Sequence, residues 1–72
     1  MKRIYLRDAR TRAELTQEQL EEKSGVPQTV ISKLERNPDV RPTFDTVVKL
    51  ADALGVDPRA LRFGQSREVA TS

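Results

Sequence analysis

The sequence contains neither cysteine nor histidine. The first absence excludes a disulfide framework and a thiolate metal site. The second removes the commonest general base and the commonest metal ligand. Any hydrolase or metalloenzyme chemistry would rest on carboxylates and lysine alone. No nucleophile–base constellation is present, so no catalytic residue, metal site or cofactor is assigned. Long apolar runs are missing too: none approaches the roughly 18 residues of a membrane span. The N-terminus, MKRIYLRDAR, opens on basic residues without the apolar stretch of a signal peptide. A soluble, cytoplasmic chain is the expectation. At 72 residues it forms one domain at most. A domain of that size buries only about 60% of its unfolded surface, so its helix packing must be economical. No segment alternates as a strand would, and there is no internal repeat or dividing linker.

What charge there is lies unevenly. The formal net charge is only +2. Residues 1 to 12 nevertheless hold Lys2, Arg3, Arg7, Arg10 and Arg12 against Asp8 alone, whereas residues 14 to 22 hold Glu14, Glu18, Glu21 and Glu22 with no basic residue. Segregation of this kind can make one basic face on a nearly neutral protein. Each arginine taken singly is equally well read as a solvated surface charge.

Periodicity predicts helices almost throughout. Leu6, Ala9, Arg10 and Ala13 recur at helical spacing and predict a first helix over residues 3–13. Thr16 opens a second with the capping box TQEQ, and that helix runs to about Ser24, where Gly25 supplies the positive φ of a reversal. Pro27 suits the start of a third, which ends at Asn37, tolerant of a left-handed cap, and Pro38, which cannot continue a helix. After the loop NPDVRPT, Thr43 caps a fourth helix that turns Phe44, Val47, Val48, Ala51 and Leu54 inward and closes at Gly55. Asp57 and Pro58 then start a short fifth helix with Leu61 inward and Gly64 as its stop. The tail QSREVATS has no periodicity and reads as mobile. The expected architecture is all-α: a compact five-helix bundle over residues 1–64, followed by a polar tail at 65–72.

The stretch SGVPQTVISKLERN carries the functional signal. Ile31 and Leu34 can face a core with Val30 at the margin, while Gln28, Thr29, Ser32, Lys33 and Arg36 look elsewhere. A helix selected only for solubility would more often show Glu and Lys there. Gln17, Leu20, Gly25, Val26, Ile31 and Leu34 together fit a helix-turn-helix, although a plain helical hairpin shares that pattern. The surroundings go further. LTQEQL, GVPQTVISKLE and RPTFDTVVKLADALGV, within residues 4 to 63, strongly resemble the DNA-binding domain of the Cro/C1-type (XRE-like) repressors.

That resemblance implies the lambda-repressor-like fold of five helices, with the second and third forming the reading unit, and symmetric dimers on double-stranded operator DNA. By position it makes Gln28, Thr29, Ser32 and Lys33 the candidate base readers. Amides suit adenine, lysine suits guanine, and a threonine methyl can touch that of thymine. Gln17, Arg36, Arg41 and Thr43 are the candidate phosphate contacts, and Arg41 has a minor-groove edge as its alternative. Arg10 and Glu35 are read as a mainly structural ion pair in preference to direct DNA contact. Val56, Leu61 and Phe63 are candidates for the dimer interface, with ordinary core as the competing reading.

The implied function is sequence-specific transcriptional regulation, most readily repression by occlusion of a palindromic operator. The alternatives are an antitoxin or restriction–modification controller that regulates itself, and a protein-interaction module of the same fold. No small-molecule substrate is inferred. Four departures from the family pattern stand out. Glu14 replaces a glycine at the end of the first helix, and Glu18 puts an acid near the phosphate site. Glu21 stands where alanine is usual, its carboxylate either turned outward or splaying the helix pair. Pro27 replaces a serine or threonine cap.

Overall fold

The computed structural model describes residues 3–37 and 39–64. Lys2, the helix stop expected at Pro38, and the tail 65–72 lie outside the described residues. The order of elements is β1 (Ile4–Tyr5), α1 (Leu6–Arg12), α2 (Gln17–Ser24), α3 (Gln28–Arg36), α4 (Phe44–Leu54) and β2 (Leu61–Arg62). Four helices and a two-stranded parallel sheet replace the five helices expected.

The correction has a local cause and a tertiary one. The Asp57 carboxylate accepts the Arg59 N–H at 2.8 Å, and the Ala60 N–H donates to the Asp57 carbonyl at 2.9 Å, so one turn does form. The chain then runs extended. Leu61 and Arg62 pair with Ile4 and Tyr5, and the Ile4 N–H donates to the Ala60 carbonyl at 2.9 Å. A fifth helix would leave the strand-favouring pair Ile4–Tyr5 without a partner. Two residues are also too few for alternation to show, which is why the strand was not anticipated. Hydrogen bonds from the Arg59 side chain and backbone hold the Asp57 carboxyl below its ordinary range.

Leu6, Leu20, Ile31, Leu34 and Leu50 are fully buried, one or two from each helix, and Val26, Ala51 and Leu61 join them. Partly buried Ile4, Leu15, Val30, Val40, Leu54, Val56 and Phe63 pack around this cluster. Phe44 corrects the expected inward face of α4: it is 77% exposed, while Leu50 takes the central place. Phe44 is the first residue of the helix, ahead of the turns that carry its buried residues Leu50, Ala51 and Ala53. Ala13, the last of the predicted α1 stripe, is likewise exposed. Asn37 is extended (φ −108°) rather than left-handed, and its side chain accepts the Asp39 N–H at 2.9 Å.

Helix α1 ends in a tight reversal. The Glu14 N–H donates to Thr11 at 3.0 Å and the Leu15 N–H to Arg10 at 3.1 Å, a pair of bonds that requires a left-handed residue between helix and loop. Glu14 occupies that position at φ 59°. The same turn after α4, with Gly55 at φ 70° and Val56 bonded to Ala51 at 2.9 Å, uses glycine. A side chain in this region costs about 1–2 kcal/mol, partly offset by the extra freedom glycine has in the unfolded chain, about 0.4–1 kcal/mol. Glu14→Gly is therefore expected to stabilise the fold by roughly 0.5 kcal/mol and raise the melting temperature by a few degrees. Thermal denaturation checks it: a lower melting temperature would show that the turn carries no strain.

Candidate nucleic-acid interface

Helix α2 begins as its capping box dictates. The Gln19 N–H donates to the Thr16 hydroxyl at 3.0 Å, and the Thr16 N–H donates to the Gln19 side chain at 2.9 Å. Gly25 (φ 80°) ends the helix, and its N–H bonds to the Glu21 carbonyl at 2.8 Å. Leu20, Val26, Ile31 and Leu34 are buried along this turn and across the two helices. The face of α3 opposite Ile31 and Leu34 is left to solvent. On it Gln28, Thr29 and Lys33 are exposed and Ser32 is half-buried.

These four side chains line one open concavity of about 460 Å³ together with Gln17 and Arg36. Its wall is thus made of two primary amides, two hydroxyls and two cations, with no carboxylate among the lining residues. Six of the eight sequence-predicted DNA contacts are brought together there. Arg41 and Thr43 lie outside it, exposed at the start of α4. The Thr43 hydroxyl accepts the Thr46 N–H at 3.2 Å and shares a hydrogen bond with the Thr46 hydroxyl at 2.9 Å, so its first duty is to cap that helix.

Beneath the concavity sits Glu35, 4% exposed. Arg10 grips it bidentately, with Nε donating to Oε2 at 2.6 Å and Nη2 to Oε1 at 3.0 Å. The third guanidinium nitrogen, Nη1, donates to the Leu15 carbonyl at 2.8 Å. Chiefly through its hydrogen bond to Glu35, and against some desolvation, Arg10 is held above its ordinary pKa and stays charged. Gln17 completes the set: its Nε2 donates to Glu35 Oε1 at 3.1 Å. The amide expected to meet phosphate is thereby oriented, with Nε2 turned toward the buried carboxylate. Sequence reasoning missed this bond, although Gln17 and Arg10 both fall on helix faces that α3 must cover.

Glu21 was missed in a different way. Its carboxylate has a partner across the turn: Oε1 accepts the Gln28 N–H at 3.1 Å at the start of α3. Of the proposed dimer residues, Leu61 is 6% exposed and belongs to the core, whereas Val56 and Phe63 remain half-buried.

A helix-turn-helix family model matches residues 6–61, which takes in all four helices and the first residue of β2. The chain belongs to the Cro/C1-type, XRE-like helix-turn-helix family. It is by that membership a DNA-binding transcription regulator, in a family that is regulatory rather than enzymatic. No match is found among curated proteins. No helix among the described residues is long and apolar enough to cross a membrane.

The Glu35 network of this family member is open to direct test. Glu35→Ala strands the Arg10 guanidinium and the Gln17 amide, and breaking such a pair costs about 3 kcal/mol. The double variant Arg10→Met/Glu35→Leu, which removes both charges and keeps apolar volume, is expected to recover most of that loss. Urea unfolding of the three proteins measures it. Equal destabilisation by the single and double variants would show that the charges themselves, not their pairing, set the stability.

Proposed function

We propose that this protein is a cytoplasmic repressor that reads a palindromic operator as a homodimer, laying α3 in the major groove. The observation that carries the reading is the single concavity in which Gln28, Thr29, Ser32 and Lys33 converge with Gln17 and Arg36. Gln28 and Lys33 have the reach and the donor–acceptor patterns for base edges: a bidentate amide for adenine and an ammonium for guanine O6 and N7. Thr29 offers a methyl to thymine, and Ser32, shorter and half-buried, offers a hydroxyl close in. Gln17, Arg36, Arg41 and Thr43 contact phosphate on either side and set the register of the helix.

A small reading surface of this kind covers only a few base pairs, so two copies supply the specificity. Half-sites one helical turn apart, about 34 Å, would seat them on one face of the duplex and block a competing protein. With Leu61 buried, the surface left for the dimer contact is Val56 and Phe63, around β2 and the turn before it. Phe44 is at the other end of α4, next to Thr43.

Selection of bound duplexes from a random pool tests the reading, with a palindromic consensus as the expected result. If the dimer makes about eight phosphate contacts, the slope of log K against log salt is expected near −7. Gln28→Ala should cost about 1–3 kcal/mol on the selected duplex and relax preference at one or two positions. A flat salt response, or an equal loss from Gln28→Ala on every duplex, would refute it.

A further inference from the structure

Two departures from the family pattern, Glu21 and Pro27, prove to be one feature. Helices α2 and α4 are capped locally, by the Thr16 and Thr43 hydroxyls. Helix α3 has Pro27 at its N-cap, which makes no side-chain cap. Proline has no hydroxyl to accept a helix N–H and no N–H of its own for the return bond of a capping box. Its carbonyl serves the Val30 and Ile31 N–H groups, both at 3.0 Å. The Gln28 N–H is met from another helix, by Glu21 Oε1 at 3.1 Å. An anionic acceptor also suits the positive end of the helix dipole.

The supply of this cap from α2 has a mechanical consequence. Gln17 and Glu21 are four residues apart, one turn along the same face of α2. Gln17 bonds to Glu35 in the last turn of α3, and Glu21 bonds to Gln28 in the first. The two helices are therefore pinned at both ends, with Leu20, Ile31 and Leu34 packed between. A local serine or threonine cap would accept from the second or third N–H of the helix, Thr29 or Val30, as Thr16 and Thr43 do on α2 and α4, and would not fix α3 relative to α2.

We infer that Glu21 is a positioning residue for DNA recognition: from α2 it caps and aims the N-terminal end of α3, where Gln28 and Thr29 sit, in place of the cap that Pro27 forbids. The aiming role rests on the proposed reading of bases by α3; the capping role does not. Glu21 touches no base itself. Its effect is on how well the protein distinguishes duplexes, not on the charge attraction common to all of them.

The test is a cycle of Glu21→Ala, Glu21→Gln, Pro27→Ser and the double variant Glu21→Ala/Pro27→Ser. The first readout is hydrogen exchange at the Gln28 amide in the free protein. Loss of a cap lets that end open about fivefold more often, so exchange is expected to quicken by that factor in Glu21→Ala. Glu21→Gln, which keeps an acceptor oxygen, should stay close to the parent. The second readout is the ratio of affinities for the selected duplex and a random one. It is expected to fall about fivefold in Glu21→Ala, with random-duplex binding undiminished, and to recover at least in part in the double variant. Should Glu21→Ala fail to fold, folding of the double variant would itself establish the compensation, and its affinity ratio would stand in.

Unchanged Gln28 exchange in Glu21→Ala, or a double variant no better than the single one, would overturn the inference. A parent protein that selects no duplex would sink the DNA reading, while the exchange measurements would still decide the capping role.

Discussion

A carboxylate taken out of water has to be met by donors or the fold around it does not hold, and Glu35 meets its donors from two other helices. Arg10 reaches it from α1 and Gln17 from α2. An isolated buried charge costs several kcal/mol even after relaxation, so each donor is a condition on where its helix can lie. Apolar packing alone would be a looser specification, because burial of Leu6, Leu20 and Leu34 is largely indifferent to small rotations. Directional bonds at 2.6–3.1 Å are not. In a domain with so few buried side chains, three hydrogen bonds on one carboxylate do much to select a single arrangement of α1, α2 and α3.

That arrangement leaves the other side of α3 free. Ile31, Leu34 and Glu35 take the inward positions of a nine-residue helix, and the outward ones at 28, 29, 32, 33 and 36 carry no packing duty. Polar groups there are held by a rigid element rather than a loop, so less freedom remains to be lost when they meet a ligand. The same carboxylate supports both sides of this division. It locks the inner face through Arg10, and through Gln17 it orients an amide on the rim of the outer one. Fold and proposed recognition surface are thus joined at a single residue.

How much of this was legible in the sequence depended on how local each signal was. The TQEQ box, Gly25 and the Ile31–Leu34 spacing act within a few residues, and the helices they mark stand where they were expected. The end of the chain read as a fifth helix because Asp57 and Pro58 do start a turn; what stops it is pairing with Ile4 and Tyr5, more than fifty positions away in sequence. Phe44 fitted the helical period but is the first residue of α4, whose buried residues lie further along the helix. For the candidate site, residue types and spacing located the outward face of α3. They said nothing of where Gln17 and Glu21 direct their polar atoms, since those bonds exist only once α2 lies across α3.

The departures from the family pattern also sort by physical role. Glu21 and Pro27 answer one another, an acceptor gained on α2 for an acceptor lost on α3. Glu14 has no such partner: its positive φ is a strain that glycine would not carry. What holds the turn is the far side of the same network, since the reversal at Glu14 delivers the Leu15 carbonyl to Arg10 Nη1 at 2.8 Å. Were that carbonyl to swing away, a partly buried guanidinium, 16% exposed, would lose one of its acceptors. The left-handed glutamate persists because relaxing it would unsettle the arginine that holds Glu35. A strained backbone residue at the edge of the domain is in this way tied, through two side chains, to the helix proposed to read DNA.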